Sequence, residues 1–532
     1  MYKDTLNPIY KNLLLISFFD FGSELSVNIL GHIFENSIGD IEELKDETTE
    51  RRKRDGVFYT HEYITDYICR NTIIPFLSLN GESNTVHKLI NEYERENNLD
   101  KLDDKLKEIK ILDPACGSGA FLNKAVDVLF EIHEALYNSK YPEDKLDKYL
   151  FDSLDRRRQI ISNNIYGVDL NEESVEITKL SLFLKLATST GIDEGFKLPN
   201  LDKNIKCGNS IISDEELAGN KAFDWENEFS EVFDSGKFDI IVGNPPYGAK
   251  LTKNEQRYLN KTYIKGASET AIAFIKLGYD YLLKDNGKLG YIIPKAFTFA
   301  SNYSAIREHL IDNLVTVIDC KKVWKEVKLE QVIFILDKTC TTDYYNNGIL
   351  IDETIKLIDK IPKNTFNSFK MILNDVTSKD LQIANKLINT NKVLNDIAHN
   401  SRGGIFQKEI SADGDGLVLG GSEIQRNGII GIKGKIDRVL VENDDKNIIK
   451  ENAVLVQRLV SHITKPIDHI KITACIPEDT DYYIVDTINQ LTVIDGISKF
   501  YVWSLLNSKL INWYCYRFIY AKAIRTMQFD NP

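Results

Sequence analysis

The stretch FDIIVGNPPYG, Phe238–Gly248, limits the fold more than any other part of the chain. An apolar strand stops at an asparagine, two prolines and a tyrosine. Proline cannot continue a strand ladder, and each proline restricts the residue before it to extended geometry. Asn244 is therefore held in a stiff, non-helical stretch at the carboxyl end of a buried strand. In open α/β sheets that is the edge where ligands sit.

The flanking sequence supplies the rest of such a sheet. From Gly56 to about Lys370, β-type runs (IKILD, IYGVDL, IKCGNSII, FDIIVGN, KLGYIIP, LVTVIDC, QVIFILD) alternate with helical stretches such as GAFLNKAVDVLFEIHEALY and ESVEITKLSLFLKLA. That alternation predicts an α/β class: a mostly parallel sheet with helices on both faces. The charged stretch Asn91–Lys110 reads as one inserted helix. Residues 1–55 read as an N-terminal helical segment, with apolar residues at helical spacing over Glu24–Leu44. It closes on the basic turn RRKRDG, either a solvated surface or a phosphate contact. After about Ser378 the pattern changes to glycine-punctuated β segments followed by Lys499–Tyr520, one or two amphipathic helices. The expected division is thus 1–55, 56–377 and 378–532, the last a mixed α+β domain without a catalytic constellation of its own.

With 532 residues the chain can bury two or three cores. No apolar run reaches the roughly 18 residues of a membrane span, and NLLLISFF near the N-terminus lacks the flanks of a signal peptide. Seven cysteines without a C-x-x-C pair argue against a disulfide scaffold or structural zinc and suit a reducing cytoplasm. The net charge of −13 argues against nucleic acid only as an average. Asn391–Pro532 holds 17 Lys+Arg and 17 Asp+Glu, so the acidic excess lies upstream. A phosphate backbone needs a local basic surface, and the charge leaves that open.

Three strand–turn–helix junctions carry chemistry. In ILDPACGSGAFL, Gly117 and Gly119 let backbone approach a ligand, and the following helix adds its positive end. Cys116 reads as a small pocket-lining residue. In IYGVDLNEE, Asp169 ends its strand as either a helix cap or an acceptor for ribose hydroxyls. NPPY at Asn244–Tyr247 offers side-chain and backbone carbonyls, a rigid proline pair and an aromatic face.

Together these motifs resemble the S-adenosylmethionine-dependent DNA amino-methyltransferases. Their order most resembles the gamma class of N6-adenine methyltransferases, in particular the methylase and specificity portion of type IIG restriction–modification enzymes. The resemblance is specific between Gly56 and about Lys338 and implies a Rossmann-like methyltransferase sheet. It implies cofactor contacts at Thr60, Asp113, Ala115, Cys116, Gly117, Gly119, Asp169, Leu170, Asn209, Ser210 and Phe274. At Asn209 the family usually has Asp, and after Thr60 it commonly has proline where this chain has His61. Thr60 is equally a candidate helix N-cap, and Phe274 a candidate core residue.

The resemblance further implies that Asn244 and Pro245 accept the N–H groups of a flipped-out adenine, with Pro246 stiffening the loop and Tyr247 stacking on the base. Trp324, in VIDCKKVWKEVKLEQVIFIL, would be a second stacking surface or else a core residue. By position, 378–532 would be a target-recognition domain on double-stranded DNA, with Arg402, Lys408, Arg458 and His462 as candidate contacts. A restriction endonuclease domain or subunit is a further implied partner; no metal is called for in methyl transfer. Cytosine-N4, RNA guanine and protein glutamine methyltransferases, and a DNA-specificity module without activity, are the competing readings.

Overall fold

Every β-type run between Gly56 and Lys370 becomes a strand of one sheet. In the computed structural model, which describes residues 60–142, 146–187, 199–324, 329–390, 392–523 and 527–529, these strands are β1 (Ile111–Asp113), β2 (Ile165–Asp169), β3 (Ile205–Cys207), β4 (Phe238–Gly243), β5 (Leu283–Pro294), β6 (Leu314–Lys321) and β7 (Gln331–Asp337). With β8 (Tyr344–Ile351) and β9 (Thr354–Pro362) the order is β3-β2-β1-β4-β5-β7-β6-β8-β9. Pairing is parallel from β3 through β5. It turns antiparallel where β7 inserts between β5 and β6. β4 is buried at all its positions, as a strand covered by protein on both faces must be.

The order reverses between β1 and β4. The chain leaves β1 toward β2 on one side and leaves β4 toward β5 on the other, so the two connections part and open a crevice at the carboxyl ends. Because β7 runs against both its neighbours, β6 points the same way as β4. The β6–β7 connection, which carries Trp324, therefore rises from the same edge as NPPY.

The helices around this sheet are α1 (Glu62–Leu77), α2 (Val86–Arg95), α3 (Leu99–Glu108), α4 (Ala120–Lys140), α5 (Leu146–Asn163), α6 (Glu172–Ala187) and α7 (Thr270–Lys276). α1 lies against β4, β5 and β7 and buries Ile64, Ile68, Ile73 and Ile74. The single helix expected over Asn91–Lys110 is two, α2 and α3. Between them Asn97 takes a left-handed φ of 49°, which asparagine tolerates better than most residues. Thr60 is not the N-cap of α1. His61 is, its carbonyl accepting the N–H groups of Ile64 (3.0 Å) and Thr65 (3.2 Å). The expected N-terminal helical segment and its basic turn lie outside the described residues.

The chain packs as two units, Met1–Trp324 with Gln331–Leu357, and Lys325–Glu330 with Ile358–Pro532. That division falls within β9, upstream of residue 377, because the sheet's last strand runs on into the second unit's sequence. In the second unit β10 (Ala398–Arg402), β11 (Ala453–Gln457), β12 (Ala474–Cys475) and β13 (Ile488–Val493) form a sheet in the order β10-β13-β11-β12. Helix α8 (Ser378–Ile388) precedes them. Val454, Val456, Leu491 and Val502 centre its core. Lys499–Tyr520 forms two helices, α9 (Lys499–Leu506) and α10 (Lys509–Phe518), separated at Ser508, whose hydroxyl caps α10 by accepting from the Ile511 N–H (3.1 Å). Among the described residues no helix is long and apolar enough to cross a membrane.

Candidate active site

The crevice between β1 and β4 is walled on one side by the glycine turn. Gly117 (φ 53°) and Gly119 (φ 85°) both occupy the left-handed region, which is why glycine stands there. Thr178 on α6 donates to the Gly117 carbonyl (2.7 Å) and so ties the turn to the neighbouring helix. The turn is also clasped from β2. Asp169 Oδ2 accepts the Gly117 N–H (2.9 Å) and Oδ1 accepts the Asn171 N–H (2.9 Å). The helix cap is not Asp169 but Asn171, whose side-chain oxygen accepts the Glu173 N–H (3.0 Å) at the start of α6; Asp169 holds the turn before it, and each of its oxygens keeps a lone pair for a further donor such as a ribose hydroxyl. Burial raises its pKa while the two N–H groups oppose the rise. Beside it Leu170 is 53% exposed, an unusual amount for a leucine at a strand end.

The other residues of this wall are structurally committed. Ala115 N–H donates to Asp113 Oδ1 (3.0 Å), and burial pushes the Asp113 carboxyl up to about 8. Cys116 is buried and its thiol raised well above the ordinary range by that burial, the opposite of an activated nucleophile. Ser210 donates to the Pro114 carbonyl (2.6 Å), while its own carbonyl accepts the Trp225 indole N–H (2.9 Å). The Asn209 carboxamide oxygen accepts the Ile211 N–H (3.2 Å).

The opposite wall is NPPY. At Gly243 a Cβ would stand 2.8 Å from Asp113 Oδ1, so only glycine lets the two strand ends meet. One residue on, Asn244 Nδ2 donates to Thr60 Oγ1 (3.2 Å), while Asn244 Oδ1 is buried and accepts no hydrogen bond from the described residues. The loop is pinned twice from the start of α7. Thr270 donates to the Pro246 carbonyl (2.6 Å), and Glu269 accepts the Gly248 N–H (3.0 Å). Tyr247 is 7% exposed, and burial pushes its hydroxyl up to about 12 despite the opposing Gln331 side chain. Phe274 lies one turn beyond Thr270 and is 5% exposed, packed in α7's buried face.

Trp324 is buried too, with its ring 6.5 Å from that of His61 at an interplanar angle of 18°. His61 in turn stacks on Tyr63 (5.4 Å, 9°). Thr60 and His61, adjacent in the chain, thus contact the NPPY asparagine and the stacking candidate respectively. Thr178, Trp225, Glu269 and Thr270 are missing from the sequence-derived set. They act by long-range hydrogen bonds for which local sequence holds no signal.

In the second unit, Arg402 pairs with Asp486, Arg458 donates to Gln528 Oε1 (2.6 Å), and His462 Nε2 sits 2.7 Å from Asp468 Oδ1. Lys408 is exposed.

A sequence model of the Eco57I restriction–modification methylase family matches residues 163–324. The Methanocaldococcus jannaschii protein RM.MjaORFECS2P, whose name classes it with type II restriction enzymes and methyltransferases, is 24% identical over 514 residues, spanning 66% of this chain and 41% of that one. The type II restriction enzyme and methyltransferase RM.Eco57I of Escherichia coli is 28% identical over 316 residues, 55% of this chain and 29% of that one. The chain thus spans well under half the length of these two relatives. In structure it is similar to the type IIL restriction–modification enzyme MmeI solved with DNA, at a TM-score of 0.58 and 14% identity, covering 91% of this chain and 67% of that one. That likeness bears on the fold, a Rossmann-like sheet with the strand order described above. Through residues 163–324 the chain is similar to the Eco57I restriction–modification methylase family.

Proposed function

We propose that the protein is a site-specific DNA methyltransferase that modifies the N6 amino group of a flipped-out adenine, within a restriction–modification or host-defence system in the cytoplasm. One observation carries the proposal: Asn244 Oδ1, placed by the rigid NPPY turn at the end of β4, is a buried acceptor without a donor among the described residues. Such a group is costly unless something supplies the missing N–H; Asn123, Asn447 and Asn489 have oxygens in the same state, and Asn244 differs from them in standing at the carboxyl edge of the parallel sheet. An exocyclic adenine amine is the donor that fits an acceptor beside two prolines and a tyrosine.

The amine nitrogen is a poor nucleophile because its lone pair is delocalised into the ring. Asn244 Oδ1 and the Pro245 carbonyl each accept one N–H, which localises that lone pair and points it away from both oxygens. Tyr247 and Trp324 hold the base by stacking. The work is positioning and electrostatics, with no general base of tuned pKa. S-adenosylmethionine, when bound, supplies an electrophilic methyl group. The chain's residues fit it: Asp169 keeps acceptor capacity for ribose hydroxyls, Leu170 offers apolar surface to a purine, and the left-handed glycine turn brings backbone close. Asn209 and Ser210 border the same wall, and Phe274 shapes it from the core. The second unit would read the target on double-stranded DNA, with Lys408 exposed for phosphate. A restriction endonuclease domain or subunit is the partner such a system implies.

The test is long-read modification sequencing of unmethylated plasmid DNA after incubation with protein and S-adenosylmethionine, with Asn244→Ala alongside. The expected result is N6-methyladenine at one recurrent motif, lost in the variant. Modification of cytosine, or methyl transfer only to RNA or protein, would reject the adenine assignment.

A further inference from the structure

We infer that Thr60 is a positioning residue for the amine-accepting asparagine, setting the plane of the Asn244 carboxamide, rather than chiefly a cofactor contact. The inference rests on the reading of Asn244 given above. Thr60 is 4% exposed, and its hydroxyl oxygen is 3.2 Å from Asn244 Nδ2 across 184 residues of chain. A carboxamide rotates about a soft sp³–sp² torsion, so without a partner its two ends sample many orientations. One hydrogen bond at the inner end fixes the plane. A hydroxyl can serve either end of the amide, accepting from Nδ2 or donating to Oδ1. Thr60 therefore holds the plane without dictating which end faces outward. An incoming N–H then selects the state in which Oδ1 accepts it; here Nδ2 makes the bond to Thr60, which leaves Oδ1 for that role.

Thr60 is itself well anchored. The next residue, His61, caps α1 through its carbonyl, and its ring stacks on Tyr63 and Trp324. The hydroxyl is thus carried next to a residue that both caps a helix and stacks on two aromatic rings. This is a firm mount for a group whose task is orientation. It also joins the residue proposed to stack on the base to the residue proposed to accept its protons, through two adjacent positions of the chain.

Thr60→Val removes the hydroxyl at nearly constant shape, and Thr60→Ser keeps it. In the full-length protein, S-adenosylmethionine affinity is measured by calorimetry and methyl incorporation into plasmid DNA at saturating cofactor by radiolabel. The expected result is a loss of about tenfold or more in turnover for Thr60→Val, a cofactor Kd within about twofold of wild type, and recovery of most of the rate by Thr60→Ser. Thr60→Val that weakens cofactor binding tenfold while leaving saturated turnover unchanged would overturn the inference, as would unchanged turnover and affinity. Crystal structures of wild type and Thr60→Val read the carboxamide without any substrate. A fixed Asn244 plane that becomes split or rotated in the variant supports the inference; one that does not move overturns it. If wild type binds cofactor but methylates no DNA, the functional reading fails, and these two crystal structures still decide the role of Thr60.

Discussion

Asn244 is held at one end of its carboxamide by Thr60, and the loop that follows it is held by Thr270 and Glu269. Thr270 is 3% exposed and donates to the Pro246 carbonyl. Thr270→Val should cost on the order of 1–3 kcal/mol in stability and lower methyl transfer more than cofactor binding, because Pro246 would no longer be fixed. Thermal melting and single-turnover rates on the same preparation check both parts. At this scale the sequence displays the groups proposed to do chemistry and hides those proposed to aim them. NPPY and the glycine turn stand out because prolines and glycines mark backbone constraints directly. Thr60–Asn244 and Thr270–Pro246 join residues far apart in the chain, and nothing local distinguishes a threonine that reaches a loop from one that caps a helix.

Among the elements, α4 supplies both the start of the glycine turn's helix and a buried histidine. His133 is 7% exposed, and burial lowers its pKa to about 4, Arg156 adding to the fall and Asp103 opposing it. An unfolded histidine titrates near 6.5. Below that pH the unfolded chain takes up a proton that the folded chain refuses, so stability is lost as pH falls from about 6.5 toward 4. Between pH 7.5 and 5.5 the loss from this residue should be about 1.4 kcal/mol. His133→Gln should shrink that part of the pH dependence, measured as the difference in Tm at the two pH values. Elements were the most legible scale. The strands from β1 to β7 follow from apolar runs bounded by turn residues, and α4 and α6 from their periodicity. The break between α2 and α3 was hidden because it depends on one left-handed asparagine within a uniformly charged stretch.

For the whole molecule, charge and division into units set the expectations. The net charge of −13 opposes association with DNA at long range, so the proposed binding would have to come from local contacts. If exposed Lys408 meets a phosphate, Lys408→Ala should weaken binding similarly on all sequences. It should also reduce the slope of log affinity against log salt by about 1, measured by fluorescence anisotropy. A variant with an unchanged slope would place Lys408 away from the backbone. The two-part organisation was visible as a change in pattern near residue 378, yet its position shifted because β9 belongs to the sheet's order while its sequence carries no switch in composition. The strand order has one more implication, for anyone who would excise this chain's most recognisable portion. Residues 163–324 include β2, β3, β4, β5 and β6 but not β1, which lies between β2 and β4. A fragment trimmed to the region of strongest kinship would be missing its middle plank, the glycine turn that follows it and Thr60. What is most shared in sequence is therefore not the smallest piece that could work.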